Sequence, residues 1–324
     1  MNDMKESRKN SWKREIQINP ENKEETGSFF ICTPLADIRI LLIDIHSRTI
    51  PDITDHGAVP ASYMTINCCL KGRCEVALKN GEYTYLSSKE IAIDTGTAYQ
   101  ENTAFYYPGG EYCGYEIIIV KKEDNGWKFM PEGIEVDAFE RIWNICEPFE
   151  RPRIITADSS ILQCMSLLEE DIRKGEEKMP VILDVFRILY MLLEEPLEEE
   201  KRRDYYTRSQ TAIAKKTMEI ITGNLNQRVS ASSLASQFGI SETSLKNYFR
   251  GVFGCGYSQF QKDLRMKKAA QYLLETDQSI GEIADLVGFS TQSKFTLAFK
   301  AYYGVTPLEY KRRKRLEERK EEEQ

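Results

Sequence analysis

The sequence predicts a multi-domain α+β protein: a small β-barrel, then a helical connector, then an all-α domain. Three observations predict this order. Short alternating apolar segments separated by glycine turns come first, helical spacing follows Asn125-Gly126, and a basic internal repeat lies near the end. The 324 residues are 41% hydrophobic, which is enough for about two globular domains.

The N-terminal segment, residues 1–28, is polar and predicted to be disordered or extended. It has no apolar stretch of the kind found in secretory signals. No window of the chain approaches the ~18 uncharged apolar residues of a membrane span. We therefore expect a cytoplasmic protein with no membrane partner.

Residues 29–125 have the pattern of strands. An aliphatic run covers residues 38–45, and residues 63–70 and 73–79 alternate apolar with other side chains. Asn80-Gly81 predicts a type I′ hairpin turn before a returning strand. Short strands at this spacing predict a small β-barrel or sandwich.

Residues 126–205 are predicted to form a helical connector. Within it, residues 181–195 carry a wide apolar stripe. The stripe either packs on its own domain or forms a seam between two copies, and we expect dimerisation through residues 159–195. Residues 196–206 are charge-rich and are predicted to be a linker.

The net charge of −7 conceals an uneven distribution. Residues 1–205 carry −13, residues 206–316 carry +9, and the charged tail, residues 317–324, carries −3. A strongly basic module inside an acidic protein is typical of a part that binds a polyanion.

The basic module is an internal repeat. Residues 234–241 match residues 283–290, and the correspondence continues beyond the turn with one added residue. Each copy predicts helix, glycine turn, helix, over about 230–251 and about 279–301. Gly239 and Gly288 would end the first helices with positive φ. Small hydroxyl residues are placed to cap the four helices, namely Ser230, Ser241, Ser279 (with Glu282 in a capping box) and Thr291.

The second helix of each copy has one apolar and one polar face. The apolar faces are the i, i+4 pairs Leu245/Phe249 and Phe295/Phe299. A helix of this kind fits a DNA major groove, where its outer side chains contact phosphates and base edges. The pattern therefore predicts two helix-turn-helix motifs. Their outer faces carry Thr243, Lys246, Asn247, Arg250, Gln292, Ser293, Thr296 and Lys300, and the connecting helix adds Arg265, Lys267 and Lys268 as expected phosphate contacts.

Residues 213–313 resemble the AraC/XylS family of bacterial transcription regulators. The family's closing pattern is present as Gly288-Phe289-Ser290, Phe295, Phe299-Lys300, Tyr303-Gly304, Pro307 and Tyr310. The resemblance implies a seven-helix DNA-binding domain, residues 206–316, whose two recognition helices enter successive major-groove faces of double-stranded DNA. It places base contacts at Thr243, Lys246, Asn247, Gln292, Ser293, Thr296 and Leu297. Many relatives have arginine where this chain has Leu297, which can touch a thymine methyl but cannot donate to guanine.

Residues 29–125 resemble the cupin-like effector domains joined to many such regulators. We therefore expect an unidentified small-molecule effector in this domain. Eight tyrosines lie in it, and Asp94, Tyr106 and Tyr112 are our candidate effector contacts.

Catalytic and metal sites have little support. Metal-dependent cupins need about three histidines and a carboxylate, whereas this chain has only His46 and His56. With Asp44 and Glu116 they would make an incomplete set, so we predict no metal, no cofactor and no catalytic residue. The eight cysteines form no CxxC pair and are expected to be free thiols.

These observations predict a sequence-specific transcription regulator that is not an enzyme. We expect a homodimer that contacts RNA polymerase and activates transcription, the commoner mode in the family. Two alternatives stay open: a cupin-type metal-dependent enzyme with an attached DNA-binding domain, and a DNA-binding protein that responds to no effector.

Overall fold

The computed structural model divides into two compact units, residues 1–207 and residues 208–324. It describes residues 12–18, 26–49, 62–95, 105–121, 137–149, 151–197, 203–227 and 229–322. His56 and Tyr99 lie outside these ranges. Within these ranges, every helix is too short or too polar to cross a bilayer.

The first unit is built on an antiparallel sheet. Its strands are β1 (Lys13–Ile18), β2 (Thr26–Leu35), β3 (Ile38–His46), β4 (Tyr63–Ala77), β5 (Glu82–Ser87), β6 (Glu90–Asp94), β7 (Tyr112–Val120), β8 (Arg153–Thr156) and β9 (Tyr206–Thr207). The order is β1-β2-β3-β7-β4-β5-β9, and β6 pairs with β4 and β8. The sheet does not close within the described ranges, because β1, β8 and β9 each have one partner strand there.

The β4–β5 hairpin forms where the sequence predicts it, but its turn is not type I′. A type I′ turn needs positive φ at both central residues. Gly81 has a φ of 81°, whereas Asn80 is not among the described residues with positive φ. The amide of Gly81 donates to the Leu78 carbonyl at 2.9 Å, and the Asn80 side chain accepts from the Glu82 amide at 3.0 Å. The asparagine thus supports the turn through its side chain.

Three helices cover one face of the sheet: α1 (Ala138–Cys146), α2 (Ser159–Lys174) and α3 (Lys178–Leu193). Successive side chains of β3 point to opposite faces of the sheet. Ile38, Ile40 and Leu42 share a core cluster with the helices. Leu41, Ile43 and Ile45 point to the other face and join a second cluster with residues of β2, β4 and β7. We call this second side the inner face.

The predicted linker contains an anchor that the sequence does not reveal. Arg203 makes a bidentate contact with the Glu90 carboxylate at 2.8 and 3.0 Å. It also donates to the Thr84 hydroxyl at 3.1 Å and the Tyr85 carbonyl at 2.5 Å. Planar guanidinium–carboxylate pairs with this geometry are among the stronger ionic contacts. The end of the segment is therefore fastened to the first unit before the second begins.

The second unit has seven helices in its described residues, the number that the resemblance implies. They are α4 (Arg208–Gly223), α5 (Ala231–Gln237), α6 (Glu242–Phe253), α7 (Tyr257–Glu275), α8 (Ile280–Leu286), α9 (Gln292–Tyr303) and α10 (Pro307–Glu322). The repeat appears as two similar pairs, α5–α6 and α8–α9.

The predicted caps and turns of the repeat are confirmed. Ser230, Ser241 and Thr291 each accept from the amide three residues ahead, at 3.1, 3.0 and 3.3 Å. Ser279 and Glu282 form the reciprocal capping box. Gly239 and Gly288 have φ values of 68° and 77°. Local sequence is therefore enough to predict where these four helices begin and where the two turns take positive φ.

Each pair is fixed to the core by two large side chains. Leu245 and Phe249 of α6 are buried, and so are Phe295 and Phe299 of α9. The ring of Phe299 lies 5.6 Å from Phe295 and 5.4 Å from Tyr310, in edge-to-face arrangements. The opposite faces of α6 and α9 are thereby held toward solvent.

Candidate nucleic-acid interface

The outer face of α6 presents four of the predicted contacts. Thr243, Lys246, Asn247 and Arg250 are all exposed, and their spacing places them on one side of the helix. A hydroxyl, an amide and two cations on one rigid surface can contact both base edges and phosphates. Structure and sequence therefore agree on which side of α6 is available.

Lys246 is not free of partners in the structure. Its ammonium lies 2.5 Å from the Glu242 carboxylate, one turn earlier on the same helix. Exposed pairs at this spacing contribute only about 0.3–0.5 kcal/mol, so Lys246 can leave Glu242 at little cost. Glu242 itself is not among the predicted contacts. It is exposed in the first turn of α6 and can accept from a cytosine amino group.

The outer face of α9 is less charged. Gln292, Ser293, Leu297 and Lys300 are exposed, while Thr296 is partly buried. Leu297 is 70% exposed, so its side chain makes few packing contacts within the second unit. Lys294, which is not among the predicted contacts, is also exposed on α9 and donates to the Ser290 hydroxyl at 3.2 Å.

The connecting helix α7 uses its basic residues in different ways. Arg265 donates to the Gln227 carbonyl at 2.8 Å and so holds the loop after α4. Lys268 donates to Gln271 at 2.8 Å and lies 5.2 Å from the centre of the Tyr272 ring. Lys267 is exposed. Of the three residues expected to contact phosphates, Arg265 and Lys268 therefore have partners within the protein.

Comparison with known proteins identifies this unit. Residues 234–313 match a family model described as a helix-turn-helix domain. The chain is 33% identical over 86 residues to the probable transcription factor PqrA of Proteus vulgaris, covering 70% of that protein and 26% of this chain. It is 30% identical over 106 residues to the HTH-type transcriptional activator AarP of Providencia stuartii, covering 78% of it and 33% of this chain.

The chain belongs to the AraC/XylS family. It is thus a transcription regulator with a DNA-binding helix-turn-helix domain. A longer match reaches the first unit: the transcriptional activator PerA of Escherichia coli O127:H6 is 24% identical over 243 residues, which is 70% of this chain and 86% of PerA. The chain spans between about a third and a half of the length of several other relatives.

The effector candidates of this AraC/XylS protein lie in different places. Tyr112 is buried and lines a small cavity on the inner face. Asp94 is buried and Tyr106 is partly buried, but neither lines that cavity. The cavity has a carboxyl group in its lining, from Glu116, which the sequence suggests only as a member of a metal set.

The two carboxylates of the incomplete metal set are not brought together by the fold. His46 lies 3.4 Å from Asp44, and both are about half exposed. Glu116 pairs with Leu41 across β3 and β7, whereas Asp44 pairs with Cys113. Because odd and even positions of β3 point to opposite faces, Asp44 and Glu116 lie on opposite sides of the sheet and cannot hold one ion.

The cysteines of this regulator are all free thiols. Burial raises the pKa of Cys68 and Cys69 to about 12 and raises that of Cys74 further still. Thiols with raised pKa values stay protonated at neutral pH and react slowly. The cluster near residues 68–74 therefore has the character of core packing.

Proposed function

We propose that this regulator reads DNA with two helix-turn-helix motifs, placing α6 and α9 in successive major-groove faces. One observation carries the proposal. The repeat gives both helices the same caps, glycine turn and buried pair, and leaves both outer faces exposed. Thr243, Lys246, Asn247, Gln292, Ser293, Thr296 and Leu297 would touch bases, and Arg250 and Lys300 would touch phosphates.

The two helices would contribute differently. On α6, Lys246 and Asn247 can donate to guanine and adenine edges. On α9, Leu297 offers a methyl contact to thymine, and Lys300 offers a phosphate contact. We therefore assign most base discrimination to α6 and mainly anchoring to α9.

Lys246→Ala and Arg250→Ala should separate base contacts from phosphate contacts. We expect Lys246→Ala to weaken binding to the specific site by about 1–3 kcal/mol and to weaken binding to non-specific DNA much less. We expect Arg250→Ala to weaken all DNA sequences about equally and to lower the salt dependence. Titration of each variant with specific and unrelated duplexes at two salt concentrations checks both.

The same experiment can overturn the assignment. Equal binding of Lys246→Ala and wild type to the specific site contradicts base contact by α6. A loss in Arg250→Ala that is confined to the specific site contradicts a phosphate role. Lys262→Ala, which removes an exposed cation from α7, serves as the matched control for loss of one charge.

We also propose a homodimer formed through α3. Met179, Leu183 and Tyr190 are exposed on this helix at a spacing that aligns them on one face. Exposed apolar stripes of this kind are typical of protein–protein contacts. A dimer would double the DNA contact and let a change in the first unit alter the spacing of the DNA-binding units.

Leu183→Asp should convert the dimer to monomers. A carboxylate in an apolar seam has no partner, so we expect at least a tenfold weaker dimer, measured by sedimentation equilibrium. Leu316→Asp on α10 is the control. It makes the same substitution at a leucine outside the seam with nearly the same exposure, 53% for Leu316 against 54% for Leu183. An unchanged dimer in Leu183→Asp, or the same weakening in both variants, contradicts the seam.

The first unit is proposed to be an effector domain of the cupin-like kind, in a cytoplasmic activator that contacts RNA polymerase. The support is the family and the names of PerA and AarP as activators. Because its relatives are transcription regulators, a non-enzymatic role follows. An effector that binds only the folded protein must raise its melting temperature, which separates this function from a regulator without an effector.

A further inference from the structure

The cavity on the inner face has an unusual lining for its size. Its volume is about 20 Å³, which is room for about one water-sized group. Four aromatic rings surround it, from Phe29, Phe105, Tyr107 and Tyr112, and Glu116 adds a carboxyl group. None of the described residues that line it is lysine, arginine or histidine.

The polar groups of the cavity are arranged unequally. The Tyr112 hydroxyl donates to the Asn67 side-chain oxygen at 2.7 Å. Asn67 is directly opposite Glu116 in the β4–β7 register. Tyr107 and Tyr112 stack with their ring centres 4.8 Å apart. Tyr112 thus donates to the Asn67 oxygen and not to Glu116, and the described residues make no hydrogen bond to the Glu116 carboxylate.

A cation would complete this arrangement. A shielded carboxylate without a donor is unfavourable, and a cation placed beside it removes that penalty. The faces of aromatic rings also attract cations, and more strongly where water is excluded. An anion would meet the Glu116 carboxylate, and Arg39, whose charge acts on Glu116, does not line the cavity. A neutral group would leave the carboxylate without a counter-charge inside the cavity.

We propose that the effector is a primary organic amine with an apolar body. This rests on the proposed effector function of the first unit. The ammonium group, which is about the size of a water molecule, enters the cavity against Glu116 and the rings of Tyr107 and Tyr112. The apolar body lies beside Phe105, which is 43% exposed and therefore the opening of the cavity.

The charge state of Glu116 links this site to pH. Burial raises the pKa of the Glu116 carboxyl to about 7, and Arg39 acts in the opposite direction. The other titratable groups facing it are Cys74, Tyr107 and Tyr112, whose pKa values burial raises well above neutrality. Only Glu116 among these changes charge near pH 7. A raised pKa means that the carboxylate form, which the ammonium needs, becomes dominant as the pH rises through 7.

Three probes of similar shape and different charge test the proposal: phenethylamine, phenethyl alcohol and 3-phenylpropanoate. Each is titrated into the full chain at pH 7.5, with calorimetry and thermal unfolding as readouts. We expect phenethylamine to bind at least tenfold more tightly than the alcohol, and the carboxylate to bind most weakly. We expect Glu116→Gln to remove this ranking, and Glu15→Gln, which removes an exposed carboxylate from β1, to preserve it.

The wild-type protein provides a test even if Glu116→Gln does not fold. The affinity for phenethylamine should rise roughly tenfold from pH 6 to pH 8, because the ionised fraction of a carboxyl with pKa about 7 rises by that factor. Equal or tighter binding of the alcohol or the carboxylate, or stabilisation by none of the three, overturns the proposal. The DNA titration of Lys246→Ala is a separate measurement. Equal binding of that variant and wild type to the specific site would contradict the proposed DNA reading by α6 and not the amine site.

Discussion

Gly288→Ala is expected to destabilise the second unit by about 2–4 kcal/mol, whereas Gly239→Ala should cost only about 1 kcal/mol. The two glycines occupy the same position in the two copies of the repeat and have nearly the same positive φ, 77° and 68°. An alanine therefore suffers the same backbone strain at both positions. The difference lies in what its methyl group would meet.

At Gly288 the added carbon would lie 2.7 Å from the Leu225 carbonyl oxygen, while at Gly239 nothing is within 4 Å. It would also lie 3.0 Å from the Arg265 guanidinium, which holds this loop through Gln227. The contact with backbone cannot be relieved by a rotamer change. The turn between α8 and α9 would have to move away from the loop after α4.

Two spectroscopic signals can locate this loss in the full chain. All three tryptophans of the sequence precede residue 208, where the second unit begins. Urea unfolding followed by tryptophan fluorescence therefore reports the first unit, and circular dichroism at 222 nm reports helices of both. We expect Gly288→Ala to shift only the helical signal. An equal shift in both signals, or equal losses in Gly288→Ala and Gly239→Ala, contradicts the packing argument.

Gly288 also shows which structural properties can be predicted from the sequence and which cannot. Its positive φ could be predicted, because a glycine after an apolar helix and before a capping residue is a local pattern. Its close approach to Leu225 could not, because that contact joins segments distant in the chain. Caps and turns depend on neighbouring residues, whereas the neighbours of a turn in space depend on how helices pack.

The same distinction applies to charged residues. Arg203, Arg250 and Arg265 all lie in basic or charge-rich segments, and their local sequences do not tell them apart. In the folded protein Arg203 donates to Glu90 and Arg265 donates to a loop carbonyl, whereas Arg250 is exposed. Which cations remain available to DNA therefore follows from acceptors brought close by tertiary structure.

Glu116 is a third case. Alternation along β7 predicts which face it occupies, but the neighbours on that face come from β2, β3 and β4. The sequence suggested a metal set with Asp44, and the register separates the two residues onto opposite faces. A carboxyl group among aromatic rings became visible only when strand order and register were known.

The uneven charge of the chain leads to the second large effect, which is on DNA affinity. Residues 206–316 carry a net charge of +9 and residues 1–205 carry −13. Six phosphate contacts, the low end of the usual range, would lower the affinity about 10³-fold between 50 and 200 mM salt. We expect this steep dependence in both the full chain and the isolated second unit, because the contacts lie in that unit.

Removing residues 1–207 should increase the affinity for non-specific DNA per protomer, by severalfold at 50 mM salt. The acidic first unit repels phosphate, and removing it removes that repulsion. The advantage of the isolated unit should shrink at 200 mM salt, because the Debye length falls from about 14 Å to about 7 Å. Fluorescence anisotropy with one unrelated duplex, at both salt concentrations, measures all four affinities. If both proteins bind equally at 50 mM salt, the acidic unit does not act on DNA binding, and the charge division is a matter of composition alone.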